Sequence, residues 1–271
     1  MPVLPDRGHG AILDVLVPLV RAAGAFISAQ AAERHSPAGL DLDISSKADP
    51  VDFVTWVDKE VERRIVGWLR GAYPEIGVLA EEGSFTDTGN GRFWVLDPLD
   101  GTRNFIKGLA GYCVSLALVE DGEPRLGLVL DVEADELYTA IRGQGAYMNG
   151  RRLKAAEEAD PAYCVAGVGF PVVGTPDQAS LDRYLRLMNG TSALRQGGSV
   201  ARDLALVARG SLDAFWQPIL SPWDVAAGML LVSEAGGVNL PDCGDGWLQE
   251  KRFGLLAASH AAFPAISELL G

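Results

Sequence analysis

Apolar residues recur at two different spacings along this chain, and the changes of spacing mark out its elements. Ile12, Leu16, Leu19, Ala23 and Phe26 follow the helical period, which predicts an amphipathic N-terminal helix bent at Pro18. Residues 36–53 are polar, with two prolines and a glycine, and predict a loop. Val57, Val61, Ile65 and Trp68 mark one face of a second helix. Thr55 and Asp58 at its start form a capping-box pattern in which Asp replaces the longer Glu. Val78-Leu79-Ala80 and Phe93-Trp94-Val95-Leu96 are short apolar runs of strand length, and each delivers carboxylates at its end. Glu81 and Glu82 follow the first run; Asp97 and Asp100 follow the second. From Gly111 to Leu153 short strands alternate with turns at Asp121-Gly122, Ala134-Asp135, Gly143-Gln144-Gly145 and Asn149-Gly150. The last of these is a strong hairpin signal, and the whole predicts an antiparallel meander.

Beyond it the pattern changes character. Strands at residues 164–168, 214–217 and 254–258 alternate with helical patterns near 178–189, 199–208, 222–235 and 261–270. That alternation predicts a second sheet flanked by helices. The expected division is an N-terminal α+β half over residues 1–153 and a C-terminal α/β half over 154–271, tightly fused because no linker separates them. In the second half, Ser221-Pro222-Trp223-Asp224 opens a helix with an N-cap serine and a proline at the first helical position. Asp224 falls in the first turn, where it complements the helix dipole.

Composition narrows the function classes. A chain of 271 residues, 48% apolar and 22% charged, can bury a substantial core. A formal charge of −13 argues against a nucleic-acid backbone or an anionic membrane as partner. A phosphate substrate stays open, because bound divalent ions reverse the local field. Cys113, Cys164 and Cys243 make no disulfide framework and no zinc pattern, so reduced cytoplasm is the expected compartment. Asp6, Asp14, Pro18 and Arg21 interrupt the first thirty residues, which read as neither a membrane span nor a signal peptide.

The chemistry concentrates in Phe93–Phe105. A buried strand is expected to end at Asp97, with Pro98 stiffening the exit. Gly101 then permits a tight turn whose backbone N–H groups can face an anion. Carboxylates a few residues apart beside such a turn suit divalent metals bridging a phosphate. A strand, an Asp N-cap and a glycine turn would leave the same pattern. Asp58 has capping, and Asp224 the helix dipole, as an ordinary role; Lys47 lies in a loop where a lysine is usually just solvated.

Taken together and in order, Lys47-x-x-Pro50-Val51-Asp52-Phe53-Val54-Thr55-x-x-Asp58, Ala80-Glu81-Glu82-Gly83-Ser84, Asp97-Pro98-Leu99-Asp100-Gly101-Thr102-Arg103-Asn104-Phe105 and Trp223-Asp224-Val225-Ala226-Ala227-Gly228 resemble the inositol monophosphatase family. The resemblance covers nearly the whole chain. It implies a layered αβαβα sandwich, usually a homodimer, that hydrolyses small phosphate monoesters with two or three Mg²⁺ ions and is sensitive to lithium. Carried over by motif, it assigns metal ligands to Glu81, Asp97, the Leu99 carbonyl, Asp100 and Asp224, all hard oxygen donors of the kind Mg²⁺ prefers. Asp97 is expected to bridge two ions, with a weaker third near Glu81, Asp58 and Lys47. A water oriented by Glu81 and the Thr102 hydroxyl is expected to attack phosphorus in line, while Gly101 and Thr102 hold the phosphate oxygens through backbone N–H groups.

Substrate recognition is assigned by the same resemblance to Asp100, Gly101, Thr102, Asp224 and the segment matching Gly197-Gly198-Ser199-Val200, with Gly198 and Ser199 at its centre. Position 217 is a departure: Gln217 stands where family members that hydrolyse inositol phosphate tend to carry Glu. A glutamine keeps one acceptor and no charge, so Gln217→Glu is expected to favour a cyclitol phosphate selectively. Histidinol phosphate, fructose 1,6-bisphosphate and adenosine 3′,5′-bisphosphate are alternative substrates across the family. A catalytically quiet dimeric interaction module is the alternative of another class. A nucleotide-dependent kinase lacks its G-x-x-x-x-G-K-[ST] loop here.

Overall fold

The structure, a computed structural model, describes residues 8–34, 42–46, 53–170 and 177–271. Two helices open the chain: α1 (His9–Arg34), which runs on through Pro18, and α2 (Trp56–Ala72). Between them β1 (Ser45–Ser46) and β2 (Phe53–Val54) form a short ribbon. A sheet of eight strands follows, built from β3 (Gly77–Ala80), β4 (Phe85–Thr86), β5 (Arg92–Asp100), β6 (Cys113–Glu120), β7 (Glu123–Asp131), β8 (Glu136–Ile141), β9 (Gly145–Met148) and β10 (Arg151–Arg152). Its order is β10-β9-β8-β7-β6-β5-β3-β4, antiparallel throughout except for the parallel β3–β5 pair. The one helix inserted in it is α3 (Thr102–Lys107). The meander appears as expected, and Asn149 and Gly150 take φ values of 48° and 80° at its last hairpin. That geometry matches the right-handed twist of the flanking strands.

The second sheet has five strands, β11 (Val165–Val168), β12 (Ala193–Arg195), β13 (Ala214–Leu220), β14 (Gly237–Pro241) and β15 (Phe253–Ser259), in the order β12-β11-β13-β15-β14. β11 runs parallel to β12 and β13, whereas β15 is antiparallel to both its neighbours. The helices are α4 (Gln178–Gly190), α5 (Val200–Ala208), α6 (Pro222–Glu234) and α7 (Phe263–Leu270). β12 and β14 go beyond the expected strands. Both are short edge strands with mixed polarity, which leave little periodic signal.

Three apolar layers hold five structural layers together. α1 and α2 cover the outer face of the large sheet, where Ile12, Leu16, Val20, Val57, Val61 and Ile65 pack on Leu116, Leu118 and Leu128. α1 is long and apolar enough, by length and composition, to cross a bilayer; here its buried stripe is committed to this packing. α5 and α6 lie between the two sheets. Every residue of α6 from Val225 to Val232 is buried, as a helix apolar on all sides requires. α4 and α7 cover the far face of the small sheet through Leu187, Ile266 and Leu270. The result is an αβαβα sandwich.

Two local expectations change: Ser45–Ser46, within the expected loop, pair as β1 with β2, and β5 overruns its expected end. β5 does not stop at Asp97 but continues to Asp100, with its register slipping against β6 between those two residues. Asp97 pairs with Ser115 and Asp100 with Cys113, so the strand carries one extra residue. Pro98 has no N–H for the ladder, and a bulge absorbs it. The bulge swings both carboxylates toward the same side of the site.

Candidate active site

The turn after β5 is shaped by a residue with no side chain. Gly101 has φ 92°, and a Cβ there would lie 2.7 Å from the Gly111 carbonyl oxygen. Only glycine fits. α3 starts at once, and Thr102 Oγ1 lies 2.8 Å from Asp58 Oδ1 and 3.0 Å from the Leu99 carbonyl oxygen. A hydroxyl has one hydrogen to donate, so those acceptors compete for it. Asp58 also accepts from Thr55 N at 2.9 Å, completing the capping box. It is fully buried behind Thr102, and burial pushes its carboxyl up to about 6 against the opposing bonds from Thr55 and Thr102.

Four acidic side chains from three parts of the chain act on one another here. Asp97 is buried, and burial first, then the charges of Glu81, Asp100 and Asp224, hold its carboxyl well above the usual range. Burial raises Asp100 to about 6, opposed by hydrogen bonds to its Oδ2 from Ser199 Oγ at 2.8 Å and Ala201 N at 2.7 Å. Cys113 lies beneath, its Sγ 3.4 Å from Ser199 Oγ. Asp224 accepts from Ser221 N at 2.7 Å, so the helix-capping role is real and coexists with its place in the acidic group. Glu81 sits just past β3, with its N–H bonded to the Leu96 carbonyl at 3.2 Å.

These groups share a cavity of about 1170 Å³. Glu81, Asp97, Leu99, Asp100, Gly101, Thr102, Gly198, Ser199, Gln217 and Asp224 all line it. Asp58 stands behind the wall and reaches the cavity through Thr102. Lys47 lies outside the described residues. Gln217 occupies the wall with its Nε2 already engaged, donating to the Ile219 carbonyl at 2.8 Å, at the register slip in β13.

Two residues given no role by sequence reading join the site. Asn104 Nδ2 donates to the carbonyls of Gly111 at 2.7 Å and Gly197 at 2.8 Å, tying the α3 turn to the 197–199 turn. Asp203, buried in the first turn of α5, is raised to about 7 by burial and by Asp100. Its signal was present: Asp203 shares the i, i+1, i+4 register of the apolar Leu204 and Val207, where a carboxylate is out of place.

The donor chemistry fits hard divalent cations. Carboxylate oxygens line the cavity at partly or fully buried positions, and the charges acting most on Asp97 are all acidic. As the side chains stand, no three acidic, histidine or cysteine groups among the described residues close on one ion. The ligand set implied by sequence includes a backbone carbonyl, Leu99, which side chains alone do not replace.

Comparison with known proteins agrees with this geometry. The sequence model described as the inositol monophosphatase family matches residues 11–269. A Nus factor SuhB of Pseudomonas aeruginosa is 41% identical over 234 residues, 84% of each chain. An inositol-1-monophosphatase of Rhizobium meliloti is 38% identical, covering 84% of this chain and 85% of its own. The crystal structure of the extragenic suppressor protein suhB from Bartonella henselae superposes with a TM-score of 0.87 at 32% identity, covering 96% of this chain and 98% of that one. Because the match runs from the first helix to the last and takes in every acidic turn of the cavity, the chain belongs to the inositol monophosphatase family.

Proposed function

We propose that this protein is a Mg²⁺-dependent phosphatase for a small phosphate monoester, hydrolysed by direct attack of water. The observation that carries the reading is the meeting of Glu81, Asp97, Asp100 and Asp224 in one cavity beside the Thr102–Asp58 pair. Glu81, Asp97, the Leu99 carbonyl, Asp100 and Asp224 would hold the ions. Bound there, Mg²⁺ supplies an acidified water and screens the phosphate and the departing oxygen. The chain's own residues do the rest. Thr102 turns its hydroxyl hydrogen inward to Asp58 or Leu99, which leaves its lone pairs to orient an attacking water from the cavity side. Glu81 holds that water from the other side. Ser199 and Ala201 fix the Asp100 carboxylate, and Gly198 and Gln217 shape the wall that meets the alcohol portion.

The test is phosphate release across a panel of esters, including inositol 1-phosphate, with Mg²⁺ and no nucleotide. Chelation should abolish release and Mg²⁺ restore it. Asp100→Asn should lower activity by about two orders of magnitude or more, since it strips charge from a ligand. A folded Asp100→Asn variant of near-normal activity would refute the ligand assignment. Inhibition by millimolar lithium, a homodimer by sedimentation and a cytoplasmic location belong to the same proposal.

A second reading is favoured by relatives that bear the name Nus factor SuhB. In it the chain works through a macromolecular partner. A wild-type protein silent on the whole panel with Mg²⁺ present would favour this reading over the first.

A further inference from the structure

α2 carries two buried acidic side chains one helical turn apart, and only one of them serves the reading above. Asp58 faces Thr102. Glu62 is 4% exposed and lies among Val61, Ile65 and Val66 of the buried face. A carboxylate in such surroundings is costly unless its oxygens are hydrogen-bonded. They are: Oε2 accepts from Glu82 N at 2.7 Å and Oε1 from Ser84 N at 3.0 Å. Those two amides belong to the turn that follows β3, closed on itself by the Ala80 N–H to the Ser84 carbonyl at 3.0 Å. Glu81 is the first residue of that turn. The β3–β5 ladder ends with the Ala80–Leu96 pair and one last bond, from the Glu81 N–H to the Leu96 carbonyl at 3.2 Å. Glu62 takes hold where the ladder ends.

We propose that Glu62 is a positioning residue for Glu81. Together with Asp58 it makes α2 the spacer that sets the Glu81 turn against the turn at Leu99–Thr102. Residues four apart on a helix face lie about 6 Å from one another, so one rigid element grips both acidic turns. The activity arm of the test rests on the phosphatase reading; the other arms do not.

The experiment uses Glu62→Ala, which removes both acceptors, and the isosteric Glu62→Gln, which keeps one. Amide hydrogen exchange at Glu82 and Ser84 should quicken at least tenfold in the alanine variant and by less in the glutamine variant. Calorimetric Mg²⁺ affinity should fall about fivefold or more, and kcat about tenfold, with substrate KM held within twofold. The loss should be graded, alanine beyond glutamine. If both variants are folded, and exchange and Mg²⁺ affinity match the wild type, the proposal is overturned. A lower Tm with unchanged Mg²⁺ affinity overturns it equally, since that is all a purely structural role would produce. Should the alanine variant fail to fold, the glutamine variant decides by the same readouts. A wild type that releases no phosphate refutes the phosphatase reading, while exchange and Mg²⁺ affinity still judge Glu62.

Discussion

Thr102 shows how one hydroxyl ties chemistry to architecture. Its oxygen lies between the cavity and two buried acceptors, so on the proposed mechanism removing it costs orientation of water more than substrate contact. Thr102→Ala should lower kcat by about a hundredfold while KM moves less than threefold, and steady-state kinetics checks this. A change confined to KM would mean that Thr102 only holds substrate. Asp203 carries a stability prediction. Its carboxyl stands at about 7 in the fold, well above the ordinary carboxylate value of 3.8, chiefly from burial and then from Asp100. The folded chain therefore keeps a proton that the unfolded chain gives up, so the favourable contribution is intact below about pH 4 and is lost as pH rises through 7. Asp203→Asn removes the titration and should stabilise the protein at pH 8 by at most about 4 kcal/mol. Near pH 4 the gain should almost vanish. Urea midpoints of the two proteins at both pH values measure it.

At the scale of elements, bulges aim the site. The slip in β5 at Asp97–Asp100 and the slip in β13 at Gln217–Leu220 both fall where the strands reach the cavity. Gln217 Nε2 holds the second bulge through the Ile219 carbonyl. A glutamate there would set a carboxylate against that carbonyl. Gln217→Glu should therefore cost about 0.5–1.5 kcal/mol of stability, the net worth of one part-buried hydrogen bond, whatever it gains toward a cyclitol. Thermal unfolding reads the cost. Parallel kcat/KM values on inositol 1-phosphate and a small aryl phosphate read any selective gain, and equal responses would remove Gln217 from substrate recognition.

Across the whole molecule, the two sheets meet through α5 and α6, and that contact depends on absent side chains. A Cβ on Gly228 of α6 would stand 2.5 Å from Leu204 Cδ1 and 2.6 Å from Leu204 Cβ of α5. Alanine is the better helix former by roughly 1 kcal/mol. Here overpacking should outweigh it. Gly228→Ala is expected to destabilise the protein by about 1–3 kcal/mol, as judged by denaturant midpoints. Asp224 rides on the same helix, so a shift of α6 would also move that carboxylate relative to Asp97.

Periodicity along the chain determined that there are two sheets with helices around them, because buried faces of strands and helices must repeat at 2 and 3.6 residues; the order of the layers came from the family resemblance. Local motifs likewise determined which acidic residues stand at strand ends and helix starts. What only the tertiary structure decided was convergence. Asp203 belongs to α5 and Glu62 to α2; a carboxylate in an apolar register is visible in sequence, but its meaning comes from a turn twenty positions away or from another sheet. Asn104 spans 93 positions to reach Gly197. Nothing local reveals that Gln217, expected as a substrate contact, also ties its Nε2 to a bulge two residues on. Hydrogen bonds between distant turns follow no period, so they become legible only once the sheets have brought those turns together.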